Sequence, residues 1–112
     1  MTGIERIAKE RKRQIEEEGW SAEHDDKHVN GEMASVATCY IHFASYRGQR
    51  IWQEGLPGLW PLTWLSKWWK PEPRGDSHPC PIIRDKDAIR MLEKAGALIA
   101  AEIDRIQRGE EA

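Results

Sequence analysis

Cysteine is scarce. The chain carries two, Cys39 in a helical stretch and Cys80 between prolines, too few for a disulfide framework, so free thiols are expected. No apolar run approaches the roughly 18 residues a membrane span needs, and the first residues, Met1-Thr2-Gly3-Ile4-Glu5-Arg6, lack the apolar core of a signal peptide. A cytoplasmic protein without a membrane role is therefore expected. There is no strong excess of basic charge: the net charge is -2, which argues against a dedicated nucleic-acid binder and leaves small anionic ligands open. Nothing resembles a Gly-rich phosphate loop, and no Ser or Cys sits in a nucleophile motif, so covalent catalysis is disfavoured. Internal repeats and low-complexity tracts are also missing.

What is present is acid. Residues 16–32 hold seven carboxylates and two imidazoles, His24 and His28, between segments that both read as helices. Like charges this close repel, and burying any of them costs several kcal/mol (about that scale) unless a proton or cation offsets it, so a divalent metal is one explanation. A solvated acidic loop is the other.

The 112 residues suit a single domain, 1–112, and the spacing predicts an all-α fold: three main helices in a small bundle, probed by their apolar stripes. Residues 4–18 form the first, with Ile4, Ile7, Ala8 and Ile15 on one face that turns polar at Arg11, Gln14 and Glu18. Gly19 is its expected C-cap, with a loop through His28. Asn30 is the expected N-cap of the second, whose stripe is Met33, Val36, Ala37, Tyr40, Ile41 and Ala44, with Glu32 placed to complement the helix dipole or to ligate. Residues 48–84 form an irregular insert with all six prolines and Trp52, Trp60, Trp64, Trp68 and Trp69, read as a lid or as a plug on the core. The third helix, 85–108, shows two strips: Ile89, Leu92, Gly96, Ile99, Ile103 and Ile106 at heptad spacing, and Ala88, Met91, Ala95 and Leu98 leading to Glu102. Such stripes read as half a bundle, and completion by a homodimer or higher homo-oligomer is expected.

Bundle interiors assemble carboxylate–metal sites, and the donors here, Glu17, Glu18, Asp25, Asp26, Glu32 and Glu102, are hard oxygens that favour Mg2+ or Mn2+. Magnesium bridges to phosphates, which would make such a site a phosphate-ester or nucleotide centre, with water attacking a phosphoryl group and one carboxylate orienting or deprotonating that water. His24, Asp26 and His28 give a weaker zinc alternative. Arg11, Arg13, Lys67, Lys70 and Lys94 are cations that phosphates could use or that are surface charge.

The run Glu10-Arg11-Lys12-Arg13-Gln14-Ile15-Glu16-Glu17-Glu18-Gly19-Trp20, with Glu23-His24-Asp25-Asp26, Asn30-Gly31-Glu32, Trp68-Trp69-Lys70-Pro71 and the stretch from Lys94 to Ile103, resembles a family of small phage and prophage proteins, the dATP/dGTP diphosphohydrolase N-terminal family, described as related to MazG-like all-α nucleoside triphosphate pyrophosphohydrolases. The resemblance covers both ends of the chain and not residues 46–65. It implies magnesium-dependent cleavage between the α- and β-phosphates of a purine (deoxy)nucleotide, releasing monophosphate and pyrophosphate. A MazG-like site uses a Glu-Glu-x-x-Glu helix and a Glu-x-x-Asp helix, whereas here Glu16 to Glu18 are contiguous and Glu32 is followed three positions later by Ser35. The resulting expectation places Glu18, Asp25, Asp26 and Glu32 on metal. Glu17, Glu102 and His28 act in catalysis, and Arg11, Gln14, Lys94 and Trp68 bind substrate. The alternative is a phage protein on the same scaffold that binds or sequesters a nucleotide or nucleotide signal without cleaving it.

Overall fold

The computed structural model describes residues 1–48 and 82–111. They form a small all-α bundle of four helices: α1 Gly3–Glu16, α2 Ala22–Asp25, α3 Glu32–Ala44 and α4 Asp85–Glu111. None is long and apolar enough to cross a membrane. The five tryptophans from Trp52 to Trp69, with Lys67, Lys70, Cys80 and every proline, lie outside the described residues.

Each boundary has a local cause. Thr2 accepts from the Glu5 amide while the Glu5 carboxylate accepts from the Thr2 amide at 3.0 Å, a capping box that starts α1. At the other end the C-cap is Glu17, not Gly19, its amide donating to the Arg13 carbonyl; Gly19, with φ of 74°, instead lets the Trp20 amide turn back and donate to the Gln14 carbonyl. A side chain is disfavoured at that φ. The loop after it contains α2, a single turn capped by the Ser21 hydroxyl on the His24 amide. Gly31, not Asn30, caps α3, at φ of 76° and without a side-chain bond.

α4 is the hub. It packs against α3, α1 and α2, while those three make no comparable helix–helix contact with one another among the described residues. The core lies between α3 and α4, from Met33, Val36, Ala37, Cys39, Tyr40, Phe43 and Ala44 on one side and Ala88, Met91, Ala95, Leu98 and Ala101 on the other. Ile83 joins it, and Trp20 and Tyr46 pack against its edge. The Cys39 thiol is buried and takes part in no disulfide among the described residues. Small alanines on α4 let the α3 backbone approach and leave room for Met33, Tyr40 and Phe43.

Two stripes are disposed otherwise than their spacing suggests. On α1 the fully buried side chains are Glu10 and Gln14, whereas Ile4 is 82% exposed and Ile15 is also exposed. Only Ile7 of that stripe is partly covered, seated on Gly96 of α4. On α4 the alanine-rich strip is the core face, and the heptad strip is on the outside.

Candidate functional site

Buried polar side chains gather on the inner surfaces of this small fold: Glu10, Gln14, Asp25, Glu32, Asp87, Lys94 and Glu102. Asp87 has a local job, accepting from the Arg84 amide at 2.9 Å at the start of α4. The others need a different explanation, because a buried charge is tolerated only when it is paired or hydrogen-bonded.

Asp25, 0% exposed, is the centre of one group. Its Oδ2 receives Arg11 Nη2 at 2.7 Å and its Oδ1 faces His24 Nδ1 at 3.1 Å. Arg11 also reaches the Trp20 carbonyl at 3.5 Å, so α1, the loop and α2 are joined through one guanidinium. The Trp20 indole stacks parallel on the His24 ring, 5.7 Å between centroids. The His24 and His28 rings meet edge to face at 4.8 Å.

Glu32 anchors the second half. Its Oε1 accepts from the Asn30 amide at 2.7 Å and its Oε2 faces His28 Nδ1 at 3.1 Å. A carboxylate only accepts, so Nδ1 carries the proton in both pairs and Nε2 is the basic nitrogen of each ring. Burial, aided by the neighbouring His24, pushes the His28 pKa below its ordinary value in spite of the Glu32 and Asp25 charges. His28 is thus a neutral base at neutral pH. The sequence places its two carboxylate–imidazole pairs side by side through one α2 turn and the Gly31 bend, which set His24, Asp25, His28 and Glu32 around one corner.

The remaining expected ligands are drawn elsewhere. Glu18 Oε1 is held by Arg13 at 3.0 Å. Asp26 is exposed and bound by Arg108 near the end of α4, with contacts of 2.6 and 3.1 Å. Among the described residues no three His, Cys, Asp or Glu side chains group as metal ligands. As placed, Asp25 and Glu32 are the two inward carboxylates of the four, and the set of Glu18, Asp25, Asp26 and Glu32 does not converge on one point. The physical reason is that Arg11 pairs with Asp25, Arg108 with Asp26, and Arg13 with both Glu10 and Glu18, so mutual repulsion is relieved by arginines at separate places.

Of the expected catalytic and substrate residues, Glu17 is exposed at the C-cap of α1. It lines a surface groove of about 570 Å3 with Arg6, Lys9, Arg13 and Arg90. Glu102 is buried and salt-bridged to Arg105 one turn on. Lys94 is buried with its Nζ 5.6 Å above the Tyr40 ring, a cation–π contact. Gln14 is 2% exposed; its amide nitrogen is 3.5 Å from Glu10, and its Oε1 has no hydrogen-bond partner among the described residues. Trp68 lies outside the described residues.

Glu10 was not among the expected residues, although it is one of the most deeply buried acids. Burial works against its charge, but hydrogen bonds from Arg13 at 2.7 and 2.9 Å and from Arg90 at 2.9 Å prevail and hold its carboxyl below the usual value. The four-residue step to Gln14 is the only signal that marks it in the sequence.

No family model, curated protein or solved structure matches this chain.

Proposed function

We propose that this protein is a metal-dependent nucleoside triphosphate pyrophosphohydrolase acting on purine (deoxy)nucleotides, with Mg2+ or Mn2+ as its ion. The observation that carries this reading is the pair of contacts between a buried carboxylate and a part-buried imidazole, Asp25 with His24 and Glu32 with His28, at a single corner of a bundle this small. The lowered pKa of His28 fits a place of proton transfer, since perturbed ionisable groups collect at such sites.

In this reading the His28 ring, kept neutral by burial and oriented by Glu32, takes a proton from water at Nε2. That is general-base catalysis, with the carboxylate fixing tautomer and ring orientation. Gln14 brings an unsatisfied buried oxygen, suited to a hydroxyl or ordered water. Asp25 and Glu32 would hold the ion, which would supply neutralisation of phosphate charge, and Glu18 and Asp26, now held by Arg13 and Arg108, would be the further donors. Arg11, which binds Asp25 at 2.7 Å, would be the cation of this corner for phosphate, and Lys94, buried over the Tyr40 ring, keeps its expected substrate role.

The second reading is a nucleotide-binding protein without turnover. It is favoured by the separate pairing of each acid with an arginine or histidine and by the lack of a three-ligand group among the described residues. The two are separated by incubating purified protein with each ribo- and deoxynucleoside triphosphate plus Mg2+ and resolving the products. The enzyme gives monophosphate and pyrophosphate, loses activity on chelation, and is inactivated by Glu32→Gln. Tight binding with no product from any nucleotide rejects the enzyme and retains the binder.

A further inference from the structure

One turn of α1 buries two polar side chains side by side. Glu10 and Gln14, four residues apart, are 4% and 2% exposed. Glu10 Oε1 accepts from Arg13 Nε at 2.7 Å and from Arg90 Nη1 at 2.9 Å, and its Oε2 accepts from Arg13 Nη2 at 2.9 Å and from Gln14 Nε2 at 3.5 Å. Donors from α1 and α4 thus fill the lone pairs of both oxygens and fix the carboxylate in place. A carboxylate only accepts, and turning the Gln14 amide over would set oxygen against oxygen. The amide nitrogen therefore stays with Glu10. Its Oε1 is turned away, buried and with no hydrogen-bond partner among the described residues. A buried acceptor in that state favours whatever brings it a donor.

Gln14 borders the corner of His24, Asp25, His28 and Glu32. Its carbonyl accepts from the Trp20 amide at 3.0 Å, and the Trp20 ring lies on His24. Arg11, a neighbour of Gln14 on the helix surface, reaches the Trp20 carbonyl and Asp25. The two side chains differ in what they can take. Arg11 offers only donors and suits a phosphate oxygen, whereas Gln14 Oε1 is an acceptor and repels one. We propose that Gln14 is the specificity-determining residue of this corner, accepting a hydrogen bond from an N–H or O–H on the base or sugar of a bound nucleotide. Glu10 is the positioning residue that keeps that oxygen available. The proposal rests on the nucleotide reading above and adds which part of the ligand is recognised. A fixed, buried acceptor rejects an analogue lacking the donor more strongly than an apolar pocket rejects a change of size.

Its test is calorimetric titration of the full chain with magnesium–dGTP and with three analogues, each short of one donor. These are dITP, without the 2-amino group, 2-aminopurine deoxyribonucleoside triphosphate, without N1–H, and dideoxy-GTP, without the 3′-hydroxyl. Wild-type protein should bind one of them at least about tenfold more weakly than dGTP, equal to 1.4 kcal/mol, and that analogue identifies the group recognised. Gln14→Leu should bind dGTP and the same analogue within about twofold of each other, the acceptor being gone. Glu10→Met removes the group that orients the amide and should lower the same ratio. Its former partners Arg13 and Arg90 have side chains 31% and 33% exposed and can turn to water. A merely structural loss weakens dGTP and analogue alike; an unchanged ratio in Glu10→Met therefore overturns the role of Glu10. Where Glu10→Met does not fold by circular dichroism, Glu10→Gln is measured in its place with the same readout. Equal wild-type affinity for all four nucleotides, the result if Gln14 meets only an ordered water, overturns the proposal and leaves the nucleotide reading standing. So does a ratio that Gln14→Leu retains. Binding of none of the four by the wild type overturns both.

Discussion

Replacing Asp25 with alanine removes the anion that ties α1 to α2. Asp25 and Arg11 meet at 2.7 Å with side chains 1% and 14% exposed, so this is a nearly buried ion pair. Breaking such a pair by deleting one partner costs about 3–5 kcal/mol, because the other charge is left uncompensated. Arg11 keeps its contact with the Trp20 carbonyl at 3.5 Å and some solvent, which puts the expected loss at the lower end, about 3 kcal/mol. With an unfolding entropy of about 2.1 cal/mol/K per residue over 112 residues, the melting temperature should fall by about 13 °C. Urea unfolding of wild type, Asp25→Ala, Arg11→Met and the double variant then isolates the pairwise part. The coupling should be about 2 kcal/mol, with the double variant far less damaged than the two single losses together. A coupling below about 0.5 kcal/mol, the range of exposed pairs, would show that Arg11 and Asp25 do not meet in a shielded environment.

Acid should weaken the fold in two stages. Because the His28 pKa is lowered in the native state, the unfolded chain binds the proton first; the contribution is complete above about pH 6.5 and drains away as pH falls through the native value. His28→Asn should flatten that part of a stability–pH curve, and an unchanged slope would refute the assigned burial. Glu10, also lowered, adds a further loss below its ordinary value of 4.5, which Glu10→Gln should remove. At Gly96 an added methyl meets Ile7 Cδ1 and Cγ1 at 2.6 and 2.7 Å, so Gly96→Ala should cost about 1 kcal/mol net of its helix-propensity gain, and Ile7→Ala in the same chain should give most of that back. Gly19→Ala, at φ of 74° with open space around it, should cost about 1 kcal/mol through backbone strain alone, read as a shift in urea midpoint without a change in slope.

The helices were legible in the sequence because the stripes of α3 and α4 repeat at helical spacing and the acids that open α4, Asp85 and Asp87, are local signals; the C-cap of α1 fell on Glu17, two residues before the expected Gly19. Which side of each helix faces inward was less so. α4 carries two apolar strips, and only the closeness of α3 selects the one built from alanines. On α1 the isoleucine spacing is sound, yet Glu10 and Gln14 take the interior because Arg90, 80 positions away, supplies a counter-charge no local reading can see. The same holds for Asp26, whose outward fate is set by Arg108, 82 positions on. The acidic concentration did locate the corner where His24, Asp25, His28 and Glu32 meet. It did not say that arginines would divide the remaining carboxylates among themselves, since that depends on how α1 and α4 lie against the loop.

The proposal that this corner is the ligand site is tested most directly by calorimetric titration of magnesium–dGTP into wild-type protein and into Glu32→Gln, with unchanged circular dichroism as the check on folding. Saturable binding by the wild type that weakens at least about tenfold in the variant, equal to 1.4 kcal/mol, is the expected result. Equal affinity in the two proteins, or no binding by the wild type, would contradict the assignment of this corner to a nucleotide and its ion.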